Sequence, residues 1–279
     1  MSTPRWLFKH DELPSPPPLF RYDKGDTRYY ARVTAEGNVI WYPSVTTVIR
    51  ATSPTPPGLL AWYAKHGMDG ATELRDEAAR RGTEMHVLFA DYLMGKAVDL
   101  TGLDEFQAKA LAAFDQFCKD HEVEPLAIEI LLANDTEVYA GTVDLICHMT
   151  WKGQRVTAIV DFKSGSGDYR DHAVQLEFYR AAFAQTYGKG IDELFIWSPK
   201  DWRSKPTYNL KQRTGEVDYE EIYHRCSLYR ITNDVAPKAK VKLSGRLPGS
   251  FEITQHDPNE VIRTIWSSVV GDDTTPTLF

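Results

Sequence analysis

Cysteine is scarce in this sequence of 279 residues, which contains only three. Cys118, Cys147 and Cys226 lie far apart, so the sequence indicates neither a disulfide framework nor a paired-cysteine metal site. It also has no unbroken apolar run of membrane-spanning length, and residues 1–18 lack the apolar centre of a secretory signal. We therefore expect a protein of a reducing, intracellular compartment, the cytoplasm, with no membrane partner.

Positive charge is in the minority, because the formal net charge is −7 and the isoelectric point is near 5.6. Taken alone, this balance argues against broad, non-specific binding of nucleic acid. Basic residues are nevertheless grouped in residues 200–213 and 238–246, and a binding groove needs only local positive charge. The overall charge therefore leaves nucleic acid open as a partner. The phosphate-binding pattern GxxxxGK(S/T) is absent, so neither a P-loop motor nor a nucleotide cofactor is expected.

The central part of the chain alternates helical and strand patterns. Apolar spacing predicts two long helices at residues 71–94 and 103–121, and a further helix at residues 171–187. Strand patterns fall at residues 125–132, 138–147, 155–163 and 191–197. Short turns join the first three strands, which predicts an antiparallel meander, whereas the helical crossover predicts a fourth strand parallel to a neighbour. The expected fold class is α/β (α+β), with a mixed central sheet flanked by helices.

The regions before and after this central part are interpreted as extensions. Residues 1–70 predict a hairpin and short helices, one of which Ser44 is placed to cap. Residues 201–279 predict one helix within a helical, basic extension that packs on the core. We therefore divide the chain into an N-terminal extension, a core at residues 71–200 and a C-terminal extension.

Two of the predicted strands end their apolar runs on charged residues, where a sheet normally carries Val or Ile. The second strand carries Asp144, and the third ends with Asp161, Phe162 and Lys163. Because side chains alternate along a strand, Asp161 and Lys163 project together while Phe162 points to the opposite core. Burying such charges is costly unless they are paired or serve a function.

In-register pairing of neighbouring strands would bring further acidic groups to the same place. One face of the second strand is expected to carry Thr142, Asp144 and Ile146. One face of the first strand is expected to carry Leu126, Ile128, Ile130 and Leu132. Glu129 then lies on the other face of the first strand, from which it can reach Asp144 and Asp161.

The carboxylates predicted around Asp161 form an oxygen-rich cluster that suits Mg²⁺ or Mn²⁺. One or two such ions can activate water and neutralise charge during cleavage of a phosphodiester. Lys163 beside the ion would orient the attacking water or stabilise the developing negative charge. The alternative interpretation is an ordinary salt bridge at a strand end.

Two predicted helices carry side chains that can join this cluster. Gln175 and Tyr179 are four residues apart, so they face the same way, although Tyr179 could equally be an ordinary core residue. His86 follows Gly82 by four residues on the long helix. A neutral imidazole could complete a mainly oxygen-ligated Mn²⁺ site, and the alternative is a hydrogen-bonded, partly buried histidine.

These motifs, taken in chain order, carry a resemblance to a known family. They are Arg81-Gly82-Thr83…His86, Glu129, Gly141-Thr142-Val143-Asp144, Asp161-Phe162-Lys163-Ser164 and Gln175…Tyr179. Together they resemble the RecB-like branch of the PD-(D/E)XK nucleases over residues 71–197. Each motif is short, but their joint order and spacing are specific. The resemblance implies a restriction-endonuclease-like αβββαβ core.

The same resemblance implies roles for the motif residues. The metal ligands for one or two Mg²⁺ or Mn²⁺ ions would be His86, Asp144, Asp161 and Glu129. Lys163 would be the catalytic lysine, and Gln175 with Tyr179 would complete the motif beside the DNA backbone. The iron–sulfur members of the family need four cysteines, and this chain has three that are not suitably placed, so no cluster is expected.

Residues both inside and outside the core are expected to meet DNA. The segment PSVTTVI at residues 43–49 resembles the one that precedes this core in phage RecB-like and mitochondrial genome-maintenance exonucleases, where it helps form a passage for single-stranded DNA. The expected DNA-contacting residues are Ser44, Thr46, Arg81, Ser164, Gln175, Tyr179, Lys200 and Arg203. The segment at residues 200–208, rich in aromatic and basic residues, is interpreted as a lip that contacts the backbone, with a solvated loop as the alternative.

Aromatic and basic residues also alternate near the N-terminus, as in proteins that stack the bases and hold the phosphates of single strands. They are Trp6, Phe8, Tyr22, Arg28, Tyr29, Tyr30, Arg32, Trp41 and Tyr42. Half or more of them are expected to pack in the core or in the hairpin.

The expected function is therefore that of a metal-dependent DNA exonuclease acting on single-stranded DNA or duplex ends. Its role would lie in recombination, repair or replication, in the host cytoplasm if the chain is phage-encoded. The expected partners are DNA and a single-strand annealing or binding protein. The alternatives are an endonuclease that cuts flaps or branched DNA, and a non-catalytic DNA-binding recombination subunit. The sequence leaves digestion polarity and oligomeric state open.

Overall fold

A computed structural model describes residues 6–7, 9, 11–25, 27–55, 57–165, 169–200, 206–238, 240–244 and 252–270. The strands are β1 Trp6–Leu7, β2 Phe20–Lys24, β3 Thr27–Val33, β4 Val39–Pro43, β5 Glu124–Asn134, β6 Tyr139–Trp151, β7 Gln154–Phe162, β8 Glu193–Lys200, β9 Thr207–Gln212, β10 Lys240–Ser244 and β11 Glu252–His256. The helices are α1 Val45–Thr52, α2 Pro57–Leu93, α3 Glu105–Asp120, α4 Arg170–Tyr187, α5 Tyr219–Thr232 and α6 Pro258–Val270.

The largest sheet has the strand order β1-β5-β6-β7-β8-β9. Strands β5, β6 and β7 form the predicted antiparallel meander, and α4 leads to β8, which pairs with β7 in parallel. The chain is therefore a mixed α/β fold with a mixed sheet flanked by helices. Strand β9 extends this sheet beyond residue 200, antiparallel to β8. It was not predicted, because none of its side chains is buried and its apolar alternation is correspondingly weak.

Helices cover both faces of this sheet and create two apolar cores. On one face, α1, α4 and α5 bury a cluster that includes Ile159 and Phe178. On the other, α2 and α3 bury Phe89 and Phe114, whose rings stack at a centroid distance of 3.9 Å. Phe162 meets both rings edge-on, and its position in this second core confirms that it points away from the α4 side.

Helix α2 is interrupted at Gly67, where φ is 70° and ψ is 167°. A residue without a Cβ adopts this conformation at little cost, so the glycine separates two helical segments. The longer segment corresponds to the helix predicted at residues 71–94, and the shorter segment to one of the short helices predicted within residues 1–70. The longer segment carries Met85, Leu88 and Phe89 into the second core, which fixes the position of its C-terminal third.

In strand β5, the alternation of side chains between the two faces of the sheet is broken at Glu129. Ile128 packs in the α2/α3-side core, whereas Ile130, two residues later, packs in the α4-side core. Glu129 has a φ of 52°, which breaks the regular alternation of an extended strand. The prediction that Ile128 shares a face with Leu126, Ile130 and Leu132 is therefore wrong.

The side chains of strand β6 also switch faces of the sheet, at Asp144. Asp144 lies opposite Glu129, between the paired positions Ile128–Leu145 and Ile130–Val143. Val143 packs in the α4-side core and Leu145 in the α2/α3-side core. Thr142 and Ile146 consequently point to opposite faces, and the prediction that both share a face with Asp144 is wrong.

A second sheet with the strand order β2-β3-β4 lies beside the first and contains the predicted N-terminal hairpin. Tyr30, Trp41 and Tyr42 are buried, which confirms that much of the aromatic set serves packing. Helix α6 packs on this sheet, and Trp41 Nε1 donates a hydrogen bond of 2.8 Å to Asn259 Oδ1. No helix among the described residues is both long enough and apolar enough to span a membrane.

Candidate metal centre

Three side chains from different elements converge between α2 and the sheet: His86 from α2, Glu129 from β5 and Asp144 from β6. One potential ligand atom from each lies within 4.8 Å of the other two. His86 Nδ1 is 3.1 Å from Glu129 Oε1 and 3.4 Å from Asp144 Oδ1. Glu129 and Asp144 lie opposite each other on the paired strands β5 and β6, which brings their two carboxylates to this point. Sequence motifs that are far apart in the chain therefore meet here.

The ring of His86 is held in one orientation by the opposite end of the imidazole. Nε2 lies 3.2 Å from the carbonyl oxygen of Phe162, and the rings of the two residues meet edge-on. When the neutral imidazole donates its Nε2–H to this carbonyl, the lone pair on Nδ1 faces the two carboxylates. Such a backbone contact is the usual way in which a protein orients a histidine that binds a metal.

Asp144 is held by a backbone group where the β6–β7 ladder stops. The paired positions extend to Leu145 and Val160, and the amide nitrogen of Phe162 then donates a 2.7 Å hydrogen bond to Asp144 Oδ2. The carboxylate thus replaces the next rung of the ladder. Its other oxygen, Oδ1, points toward His86.

The electrostatics of the three residues favour a positive charge between them. Burial disfavours the imidazolium of His86, but the carboxylates of Asp144 and Glu129 outweigh this effect and raise its pKa to about 9. The pKa of Asp144 is raised to about 7, mainly by burial. The charge of His86 lowers this pKa, whereas the charges of Asp161 and Glu129 raise it further. Without an ion, a proton on His86 partly neutralises the acidic groups.

A second group of side chains adjoins the first on the α4 side. Lys163 Nζ lies 2.6 Å from Asp161 Oδ2 and donates a hydrogen bond of 3.1 Å to Gln175 Oε1. Gln175 Nε2 in turn lies 3.0 Å from Asp161 Oδ1 and 2.8 Å from the hydroxyl of Tyr179. The structure therefore brings together all four of these predicted site residues.

Lys163 keeps its charge in this setting. Burial favours the neutral amine, but Asp161 and Asp144 outweigh it and raise the pKa of Lys163. The 2.6 Å separation of Nζ from Asp161 Oδ2 places the ammonium at the end of β7. Asp161 itself stands outside the group of three potential ligands, because its oxygens face Lys163 and Gln175. Its role as a ligand stays a prediction.

Gly141 permits the close packing of Tyr179 against β6. A Cβ atom at Gly141 would lie 2.6 Å from Cε1 of the Tyr179 ring and 3.2 Å from a methyl group of Val45. Tyr179 is buried in the α4-side core, so it has both the core role and the hydrogen bond to Gln175. The glycine of the sequence motif thus sets the depth of α4 against the sheet.

The expected DNA-contacting residues of α1 differ in exposure. Ser44 is buried, and its hydroxyl accepts a 3.0 Å hydrogen bond from the amide of Thr47, which confirms the predicted helix cap. Thr46 is exposed, and its hydroxyl lies 3.0 Å from that of Ser44. Of these two residues, only Thr46 has an exposed side chain, and its contact with DNA stays a prediction.

The other expected DNA contacts differ in exposure and in their neighbours. Arg81 is exposed, forms an ion pair of 2.6 Å with Glu77 and lies over the ring of Phe106. Ser164 is half-buried, and its hydroxyl would lie 3.7 Å from a Cβ atom added at Gly82, which places the two motifs side by side. Exposed Lys200 ends β8, and Arg203 lies outside the described residues.

His172 is a residue that the sequence analysis missed. It lies in the first turn of α4, and burial together with the charge of Lys163 lowers its pKa to about 4. It is therefore a neutral imidazole at pH 7, and its Nδ1 is buried without a hydrogen-bond partner among the described residues. Its position three residues before Gln175, on the same helix face, is the signal that could have identified it.

The three potential ligands have the chemistry of a divalent-cation site. The site offers two carboxylates and one imidazole whose Nδ1 is oriented toward them, a set of ligands that suits Mg²⁺ or Mn²⁺. Such an ion would offset the negative charge of the two carboxylates. The fold and this site together define a mixed α/β protein with a candidate metal centre beside a charged lysine. Comparison with known protein families gives no match, and no curated protein matches the chain.

Proposed function

We propose that this chain is a Mg²⁺- or Mn²⁺-dependent DNA nuclease of the PD-(D/E)XK superfamily, in its RecB-like branch. The observation that carries the proposal is the convergence of His86, Glu129 and Asp144 beside a lysine, Lys163, that two polar neighbours hold in place. The order of helix, three-stranded meander, helix and parallel strand also supports it, because this is the order expected of that core.

The proposed chemistry assigns separate tasks to the two groups of side chains. His86, Glu129 and Asp144 would hold the cation, which when bound neutralises phosphate charge and lowers the pKa of water. Lys163 donates hydrogen bonds from its charged Nζ to the attacking water or to the phosphate oxygens as negative charge develops. Gln175 fixes the position of this amine, since it contacts both Lys163 and Asp161.

The proposed substrate is DNA, attacked at single-stranded ends or duplex ends. A partly exposed centre favours a strand that reaches it from solvent, because the side chains of His86, Glu129 and Lys163 are 27%, 21% and 24% exposed. Exposed Thr46, Arg81 and Lys200 would contact the backbone of such a strand, and phosphate contacts of this kind need no particular sequence.

The experiment compares purified wild type with Asp161→Ala and Lys163→Ala on end-labelled oligonucleotides, with Mg²⁺, Mn²⁺ or EDTA. Wild type should degrade DNA only with a metal, and both variants should lose about 100-fold or more in rate. A matched control is the pair of exposed Glu105 and half-buried Lys109 on α3, whose ion pair has the same 2.6 Å separation, each changed to alanine. Equal degradation by wild type and by the site variants would refute the assignment.

Circular single-stranded DNA separates the exonuclease from its alternatives. An exonuclease leaves the circle intact and degrades the same DNA after linearisation, whereas an endonuclease cuts both. Metal and DNA binding without any cleavage, in a protein shown to be folded, would instead identify a non-catalytic subunit.

A further inference from the structure

A cavity of about 530 Å³ lies between the β2–β3 hairpin, α1 and the C-terminal end of α5. Its wall includes Lys24, Tyr29, Arg50, Tyr229, Asp234 and Lys238. None of these residues belongs to the candidate metal centre or to the Lys163 group. The volume falls within the range of about 300–1,000 Å³ that small-molecule sites occupy.

The described residues of the cavity wall include more cations than carboxylates, in a chain whose net charge is −7. Among the described residues of the wall, the charged side chains are the cations of Lys24, Arg50 and Lys238 and the carboxylate of Asp234. Lys24 Nζ donates a 2.7 Å hydrogen bond to the backbone oxygen of Lys238, which ties the hairpin to the segment after α5. Lys238 Nζ lies 2.8 Å from Asp234 Oδ2. A concave surface with this excess of cations concentrates anions.

Two tyrosines complete the wall. Tyr229 is buried, and burial raises its pKa to about 12, so its phenol is neutral and forms part of the cavity floor. Tyr29 is half-buried, unlike its neighbour Tyr30, which is buried in the core beneath the hairpin. Tyr29 therefore offers an aromatic ring beside the cations.

We propose that this cavity binds a nucleotide unit, with its phosphate on Arg50 and Lys238 and its base against Tyr29. A phosphate recognised by cations together with a base stacked on an aromatic ring is the usual chemistry of nucleotide sites. The unit is part of a DNA strand or a free mononucleotide, and both present the same groups. The inference that the unit belongs to a DNA strand depends on the proposed nuclease function, whereas the inference that the cavity binds a nucleotide does not.

The first measurement is calorimetric titration of the whole protein with deoxyadenosine 5′-monophosphate in EDTA, where no cleavage takes place. We expect saturable binding that inorganic phosphate competes with, and binding about tenfold weaker for deoxyadenosine, which lacks the phosphate. Arg50→Gln and Lys238→Gln should each weaken binding about fivefold or more. Circular dichroism of each variant establishes that it is folded.

The matched control is Lys119→Gln. Lys119 on α3 is an exposed lysine paired with Asp115 at 2.7 Å and four residues away, as Lys238 is with Asp234. This control should bind the nucleotide as wild type does. The proposal is overturned if no saturable binding occurs, if deoxyadenosine binds equally well, or if folded Arg50→Gln and Lys238→Gln bind as wild type does.

Kinetics on oligonucleotides then distinguish the two sources. If the cavity holds part of the strand, Lys238→Gln raises KM for a long oligonucleotide with little change in kcat, and the Lys119→Gln control does not. If KM is unchanged while nucleotide binding is weakened, the ligand is a free mononucleotide. Nucleotide binding by a protein that has no nuclease activity would refute the proposed function and leave the site itself established.

Discussion

The Nδ1 atom of His86 lies 3.1 Å from Oε1 of Glu129, although the two residues are 43 positions apart in the chain. The contact joins helix α2 to the point at which β5 changes its facing. It makes a proton and a divalent cation competitors for the same place, because both would bind the lone pair of Nδ1.

Metal affinity should consequently increase with pH. The pKa of His86 is about 9, so the imidazole is protonated at pH 7 and must release one proton when it binds an ion. Between pH 7 and 9 the dissociation constant for Mn²⁺ should fall about tenfold per pH unit. Below pH 7 the dependence should steepen, because Asp144, with a pKa of about 7, then also releases a proton.

Calorimetry in buffers of different ionisation enthalpy measures this proton release directly. His86→Gln removes the titrating group and should flatten the dependence between pH 7 and 9 while it weakens binding. A dissociation constant for the wild type that stays constant from pH 7 to 9 would contradict Nδ1 as a ligand.

Replacement of Lys163 by glutamine should separate catalysis from metal binding. Lys163 lies outside the three potential ligands, so Mn²⁺ affinity should change by no more than about threefold, whereas turnover should fall about 100-fold or more. The buried carboxylate of Asp161 also loses its ion-pair partner, so the free energy of unfolding should fall by about 3 kcal/mol. Calorimetry, cleavage assays and urea unfolding measure the three quantities.

The double variant Asp161→Asn/Lys163→Gln supplies the control for the stability effect. It removes both charges together, so its loss of stability should be smaller than that of Lys163→Gln alone. An equal or larger loss in the double variant would show that the ion pair itself, and not an unpaired carboxylate, determines the effect.

Gly141→Ala should destabilise the protein because the new methyl group would overlap the ring of Tyr179 at 2.6 Å. Overpacking of this kind costs about 1–3 kcal/mol, measured as a shift in the urea midpoint. Gly82→Ala is the matched control, because this glycine lies within helix α2 and its added Cβ would meet only the Ser164 hydroxyl, at an ordinary contact distance of 3.7 Å. That substitution should stabilise the protein by about 0.5–1 kcal/mol. Equal effects at both glycines would be inconsistent with the close approach.

The hydroxyls of Tyr30 and Thr142 lie 2.9 Å apart and connect the N-terminal sheet to the strand that carries Asp144. A double-mutant cycle with Tyr30→Phe and Thr142→Val should give a coupling free energy of about 0.5–1.5 kcal/mol. Coupling indistinguishable from zero would mean that the two sheets are joined by apolar packing alone.

The sequence allowed much of the core to be predicted, since helices and strands with buried faces leave a clear period in the apolar residues. The meander, the parallel fourth strand and the pairing of Asp161 with Lys163 follow from that period and from short connections. Strand β9 left no such pattern because it lies at the sheet edge and buries no side chain.

The facing changes at Glu129 and Asp144 could not be read from the same pattern. A positive φ at a glutamate is set by the tertiary contacts around it, and a strict two-residue alternation cannot represent it. The prediction that Glu129 and Asp144 meet was correct because the two residues oppose each other in the β5–β6 register, whichever face their neighbours occupy.

The position of His86 along its helix has a mechanical consequence. Among residues 57–84, no described side chain is buried, and Met85 is the first one in the core. His86 therefore marks the point at which the helix becomes anchored to the sheet. An ion bound by His86 and the two sheet carboxylates would fix the helix to the sheet at this point. The orientation of the turns of α2 that precede His86 would then depend on whether the ion is bound.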